Sequence, residues 1–314
     1  MTESEDIAER FWNLPQKPDE EARREQLFLD DVIHKAHLDR EIESRLEGVQ
    51  SALDVGAGTG RFSLRLAARG VRVTHLDVSE GMIERARQEA ARAGLLEMMT
   101  FRHGRLADLH GYSAREFDMV ICSDAPVSYA YPDHAAAIAA LVRVSGKAII
   151  LSVSSRLGYV SLALNPIQKE PYFVDPDSDD PLVRRYRDRG RAGLASGEPK
   201  LGAAWNVLDN GLLSPPQDTD REFLAGRAPW PHNYLFLPAE LETLLRANDV
   251  SDIRLAGPGA LSRGIPNSIL RTLLLTERYR RNFLELCYAF DSQTTVCGLG
   301  KDNLVASGCV SQES

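Results

Sequence analysis

Three glycines at every second position, Gly56, Gly58 and Gly60, follow the short apolar run Leu53-Asp54-Val55 and precede the amphipathic segment that starts Arg61-Phe62-Ser63. That order reads as a strand, a tight turn and a helix. Glycine gives the backbone the freedom the turn needs and lets a ligand touch the main chain. The helix beyond offers unpaired N–H groups to a polar ligand. The spacing also excludes. A dinucleotide fingerprint, G-x-G-x-x-G after a strand, would place its third glycine at position 61, which is Arg61. An NAD-dependent oxidoreductase is therefore disfavoured.

The residues that follow extend the pattern. Val71 to Asp77 alternates as a strand should and ends on Asp77. An acid there, about 20 residues past a glycine loop, is placed to accept from both hydroxyls of a ribose. Ser79 is a candidate cap for the next helix. Met98 to Phe101 reads as a third strand and leads into His103-Gly104-Arg105-Leu106. Phe117 to Asp124 carries an apolar run of the parallel-sheet type, and Lys147 to Val153 is a fifth strand. Alternating strands and helices imply right-handed parallel crossovers.

Asp54 two residues before Gly56, the G-x-G-x-G spacing, Asp77, and Phe117-Asp118-Met119-Val120 as F-D-x-V together resemble the class I S-adenosylmethionine (SAM) dependent methyltransferases. The resemblance covers about two-thirds of the chain. It implies an α/β fold: a Rossmann-like, seven-stranded, mostly parallel sheet with an antiparallel last strand, a helical N-terminal extension and an inserted lid. It implies SAM as cofactor, held by Asp54, Gly56, Ala57, Gly58, Gly60, Asp77, Val78, Met82 and Asp124. The family's Gly-Asp pair for adenine is absent, because Gly104 is followed by Arg105. Adenine recognition stays open between the backbone of Arg105 and Leu106 and the nearby Asp108. Asp124-Ala125-Pro126-Val127 also departs from the N-P-P-Y or D-P-P-Y of many nucleic-acid amino methyltransferases.

The chain divides into four segments. Residues 1–50 read as a helical cap, with apolar positions at near-helical spacing from Asp19 to Leu46. Residues 51–155 are the SAM-binding core. Residues 156–236 hold prolines, an acid cluster (Asp175 to Asp180) and an arginine-rich stretch (Arg184 to Arg191), too long for a plain loop and read as a substrate lid. Within it the arginines are expected to answer the acid cluster, or to grip an anionic substrate. Residues 237–314 return to the core: the helix that starts Leu237-Pro238-Ala239-Glu240-Leu241, a strand from Ser251 to Ala256, a helix from Pro266 to Phe290 and a final strand from Asn303 to Val310.

Transfer of an activated methyl group requires mainly alignment and exclusion of water, with a general base where the acceptor must lose a proton. Candidate catalytic residues are Asp124, Tyr131 and His232, accompanied by Tyr129, His134, Trp205, Trp230 and Tyr234. The cysteines, Cys122, Cys287, Cys297 and Cys309, lack metal-ligand spacing, so buried thiols are expected and no metal site. A net charge of −8 argues against a nucleic-acid binder relying on bulk attraction. The N-terminus lacks an apolar signal segment and no run reaches membrane-span length, so the cytoplasm is the expected compartment. The leading expectation is methyl transfer to O or N of a small molecule. The alternatives are a tRNA or protein methyltransferase, or a SAM-binding protein without catalysis; a homodimer is left open.

Overall fold

The computed structural model describes residues 3–164, 172–196, 201–213 and 232–311. Three helices lead: α1 (Glu3–Trp12), α2 (Lys17–Leu27) and α3 (Leu29–Ser44). An alternating unit follows, made of β1 (Ser51–Val55), α4 (Arg61–Ala68), β2 (Arg72–Asp77), α5 (Glu80–Ala93), β3 (Met99–His103), β4 (Phe117–Cys122), α6 (Pro126–Tyr129), α7 (His134–Val144) and β5 (Ser145–Ser154). The inserted region contributes α8 (Arg156–Leu164), α9 (Pro181–Ser196), α10 (Leu201–Asn210) and the antiparallel pair β6 (Leu212–Leu213) and β7 (Asn233–Tyr234). The chain closes with α11 (Pro238–Arg246), β8 (Val250–Ala256), α12 (Asn267–Leu275), α13 (Glu277–Asp291) and β9 (Asn303–Val310).

Seven strands form one sheet in the order β3-β2-β1-β4-β5-β9-β8. The first five are parallel to their neighbours, and β9 runs antiparallel to both β5 and β8. The period of two sends alternate side chains to opposite faces. Leu53, Val55, Val120 and Cys122 pack with Ile138 and Leu141 of α7 and Leu241 of α11. Ala52, Met119 and Ile121 pack on the other face with Phe62 and Leu66 of α4 and Leu38 and Ile42 of α3. Strand order reverses between β1 and β4, which opens a crevice at their carboxyl ends.

The helical stretch from Asp19 to Leu46 forms the pair α2 and α3, and the single helix expected from Pro266 to Phe290 is broken. The run from Asp19 to Leu46 divides at Phe28, which is extended (φ −127°, ψ 124°). Phe28 bridges to Phe173 of the inserted region, and its ring lies 5.9 Å from that of Phe173. A contact with a residue so distant in sequence overrides the local periodicity. The run from Pro266 to Phe290 divides at Thr276 (φ −94°, ψ 115°), giving α12 and α13.

The N-terminal helices are pinned to the core by a ladder of ion pairs. Arg61 and Arg65 of α4 each reach Asp39 at 2.7 Å, and Arg65 and Arg69 reach Glu43 at 3.0 and 2.7 Å. The inserted arginines do not answer the acid cluster as a block. Asp180 pairs with Arg23 of α2, Arg185 reaches Glu20 of α2 at 2.8 Å, and Arg187 donates to the Pro176 carbonyl at 2.7 Å. The inserted region is thereby docked on α2. Among the described residues no helix is long and apolar enough to cross a membrane.

Candidate active site

A cavity lies over the crevice between α2, α3 and the strand ends. Its floor is Gly56, Ala57 and Gly58 of the glycine loop, Asp77 and Val78 after β2, Met82 of α5, Gly104, Arg105 and Leu106 after β3, and Ser123 and Asp124 after β4. Its roof comes from Glu9 and Trp12 of α1, Glu21, Arg24 and Glu25 of α2, and Lys35 of α3.

The glycines divide the work. Gly56 (φ +66°) has no room for a Cβ, which would stand 2.5 Å from Pro126 Cγ. Gly60 (φ +85°) borders Ala86 of α5, where a Cβ would come within 2.9 Å of the alanine methyl. Gly60 therefore permits helix packing and does not line the cavity. Gly58 (φ +55°) would place a Cβ in open space, and its N–H donates to Asp77 Oδ2 at 2.8 Å. Asp54 sits fully buried beneath the loop, outside the cavity lining, and accepts from Ser63 Oγ at 2.7 Å. Burial pushes its carboxyl up to about 7, against the opposing Ser63 hydrogen bond.

Asp77 is 5 % exposed and oriented by main-chain donors, Gly58 N–H on one oxygen and Ser79 N–H at 2.8 Å on the other. Burial raises its pKa, and those two bonds oppose the rise. Ser79 caps α5 by accepting from Met82 N–H at 3.4 Å, as its residue type suggests. Asp108 spends its carboxylate on the Arg105 N–H at 2.8 Å, closing a short turn of helix from Leu106. That bond removes the Arg105 N–H from the candidates for adenine recognition. Leu106 N–H, at the first position of this turn, has no acceptor within it.

Asp124 and Ala125 are consecutive non-glycine residues with left-handed backbone (φ 60° and 69°), a conformation that costs free energy and recurs at functional sites. The bend delivers Asp124 to the cavity, where its carboxylate is an ion-pair partner of Lys35, with His34 Nδ1 at 3.5 Å. Burial alone would raise the carboxyl; the Lys35 ammonium holds it well below the usual range instead. His34 is buried and pushed down to about 3, so it is neutral, with Nε2 2.9 Å from Ser152 Oγ.

Of the other sequence candidates, Tyr129 lines the cavity and Tyr131 and His232 do not. Tyr131 belongs to a separate aromatic group with His134 (6.1 Å between centroids) and Tyr234 (6.0 Å), in which the His134 and Tyr234 rings stack at 3.8 Å. Tyr234 is also held by Glu240 and Arg156. His232 lies just before β7, and Trp205 is 60 % exposed on α10. Trp230 lies outside the described residues, as do the side chains of Arg189 and Arg191. Glu21, Arg24 and Lys35 were not singled out by the sequence, because their helices carry charges at so many positions.

A family model described as a methyltransferase domain matches residues 52–147. The malonyl-[acyl-carrier protein] O-methyltransferase of Serratia marcescens is 36 % identical over 116 residues, 35 % of this chain and 42 % of that protein. The ubiquinone biosynthesis O-methyltransferase of Aromatoleum aromaticum is 31 % identical over 187 residues, 55 % of this chain and 74 % of that protein. The chain belongs to the class I SAM-dependent methyltransferases. A solved SAM-dependent methyltransferase from Methanosarcina mazei shares the fold, with a TM-score of 0.50 at 17 % identity, covering 87 % of this chain and 97 % of that one.

The floor fits the family's cofactor. Asp77 keeps a free lone pair on each oxygen after its main-chain bonds, enough for a ribose diol. Gly58 leaves open space where a side chain would intrude. Val78 and Met82 supply apolar surface beside Asp77, and Lys35 and Asp124 supply one charge of each sign for an amino-acid tail. This methyltransferase thus presents a main-chain cradle at Gly56, Gly58 and Asp77 and an ion pair, Lys35 with Asp124, across the same cavity.

Proposed function

We propose that the protein transfers a methyl group from SAM to an oxygen or nitrogen of a small-molecule acceptor. The observation that carries this reading is the shape of the site: a cradle of Gly56, Gly58 and Asp77 below, and a roof of the helices α1, α2 and α3 above. SAM, when bound, supplies a methyl group on a sulfonium that is already reactive. The residues then have to hold and align. Asp77 binds the ribose hydroxyls, and Leu106 N–H meets the adenine edge. Lys35 and Asp124 bind the carboxylate and ammonium of the tail, and Tyr129 walls the space beyond Asp124 where the acceptor lies. Within this reading residues 1–50 act as a cap, 51–155 and 237–314 as the core, and 156–236 as a substrate lid.

The relatives matched include O-methyltransferases named for ubiquinone biosynthesis and for a malonyl carrier protein, which supports an oxygen acceptor. A tRNA acceptor is disfavoured because Arg185, in the arginine-rich stretch, is committed to Glu20, and because the net charge is −8.

Calorimetric titration with SAM and its demethylated product tests the reading on wild type and Asp77→Ala. Wild type binds both. Loss of two hydrogen bonds to a charged group, about 1.5–3 kcal/mol each, weakens both ligands by on the order of 10²-fold or more in the variant. A folded wild type that binds neither ligand, or a variant that binds as wild type does, sinks the assignment.

A further inference from the structure

We infer that Glu21 of α2 is the proton acceptor for the acceptor substrate, which therefore carries a hydrogen on the atom to be methylated, a hydroxyl or an amine. The inference rests on the methyl-transfer reading above and adds to it the chemical class of the acceptor.

The geometry carries it. Glu21 lines the cavity, with its side chain 20 % exposed there. Among the described residues its contact is Arg24 Nη1 at 3.6 Å, an ion-pair distance too long for a hydrogen bond. The other acids of the roof are engaged differently: Glu9 pairs with Arg105, and Glu25 with Arg61. Asp124 across the cavity is committed to Lys35. Glu21 is thus a cavity-facing carboxylate with unused lone pairs, in the electrostatic field of Asp124 and Tyr129 at the carboxyl end of β4.

Its surroundings suit a base. The groups that face it are Lys17 and Arg24 of its own helix, Asp31 and Lys35 of α3, Asp124 after β4 and Tyr129 of α6. Burial raises the Glu21 carboxyl, Arg24 opposes this, and Asp124 and Asp31 add to the rise. Asp124 moves the opposite way. Two carboxyls whose environments drive them apart divide the labour of a site, one remaining ionised and the other exchanging protons.

The step balances. The O–H bond of a hydroxyl acceptor, or one N–H bond of an amine acceptor held as its ammonium, breaks and its proton passes to a Glu21 oxygen. The freed lone pair forms the new bond to the methyl carbon as the S–CH3 bond breaks, with its electron pair kept by sulfur. A carboxylate acceptor has no proton to lose and leaves Glu21 unused.

The test uses the full chain as wild type, Glu21→Gln and Glu21→Asp. Catechol is the hydroxyl probe, benzylamine the amine probe and benzoate the control. Calorimetry with SAM comes first, and failure of folded wild type to bind SAM removes the underlying reading and this one with it. With binding established, wild type is expected to methylate catechol or benzylamine. Glu21→Gln then keeps its affinity for SAM and loses about 10²–10⁴-fold in kcat, while Glu21→Asp recovers part of the loss. Wild-type kcat rises with pH through the elevated Glu21 pKa, because the carboxylate is the active form, and this acid limb disappears in Glu21→Gln. Three results overturn the inference: turnover of benzoate alone, turnover of neither catechol nor benzylamine by a SAM-binding wild type, or a Glu21→Gln variant with the wild-type rate and acid limb.

Discussion

The floor and the roof of the cavity are built from different materials. On the floor, Gly56 and Gly58 present main chain, and Asp77 is fixed by the N–H groups of Gly58 and Ser79. In the roof, Glu9, Glu21, Arg24, Glu25 and Lys35 present ionisable side chains, and Glu21 and Arg24 each shift the other. A main-chain floor is intolerant of added atoms. A charged roof tolerates changes of volume and responds to any change of sign. Added atoms therefore test the floor, and changes of sign test the roof.

The sharpest way to break this contrast lies within the glycine loop. Gly56→Ala combines a left-handed backbone, about 1–2 kcal/mol for a residue with a Cβ, with overpacking against Pro126, about 1–3 kcal/mol. Thermal unfolding should show a loss of about 2–5 kcal/mol. Gly58→Ala meets no neighbour, so only the backbone cost applies, while its methyl enters the cavity proposed to hold the cofactor. Its signature is weakened SAM binding in calorimetry with a smaller stability change. Equal stability losses in the two variants would show that Pro126 yields and that the floor is not rigid.

In the roof, Lys35→Met removes the counter-ion of Asp124. A fully buried pair broken in this way costs about 3–5 kcal/mol. The Asp124 side chain is 43 % exposed, so screening reduces the expected loss to about 1 kcal/mol. The depressed folded pKa of Asp124 fixes the sign of the pH dependence. The stabilisation is complete above the carboxyl's ordinary value of 3.8 and is lost as pH falls through the lower folded value. Unfolding curves of wild type and Lys35→Met should differ in neutral buffer and converge in strong acid. A gap that stays constant across that range would mean that Lys35 acts through packing on the Phe62 ring, 5.3 Å away, and not through charge.

The same contrast explains what the sequence made legible. The glycine spacing, Asp77 and the fourth strand could be read because a turn, a strand end and a period of two each demand particular residue types at particular positions. Ser79 as a helix cap followed from the same kind of local rule. The roof obeys no such rule. Lys35 and Glu21 sit among many charged residues on α2 and α3, and nothing local distinguishes a lysine that faces a cavity from one that faces water. Phe28 kept the helical periodicity unbroken, and only Phe173, far along the chain, draws it into an extended bridge. The break at Thr276 did carry a local signal, a residue type that favours the N-cap followed by Glu277 in the first turn. Tyr131 and His232 were grouped with Asp124 by chemistry, and the fold sends them to other surroundings.

The smallest effect tests how the two halves are joined. Arg61 occupies the position that a dinucleotide fingerprint would give to glycine, and its guanidinium spans Glu25 of α2 and Asp39 of α3. It is thus the link between the first turn after the glycine loop and the roof. Its side chain is 30 % exposed, and such pairs contribute about 0.2–1 kcal/mol each. Arg65 also holds Asp39 and Glu43, so Arg61→Ala should lower global stability by about 1 kcal/mol or less. The local consequence should exceed the global one, since opening α2 from the core requires far less than global unfolding. Limited chymotrypsin digestion should cut the variant near Phe28 faster than wild type, and SAM should restore protection, as follows from the roles proposed for Asp77 below and Lys35 above. Cleavage at the wild-type rate would show that the Arg65–Asp39–Glu43 pairs alone hold the roof, and that Arg61 serves the loop below it instead.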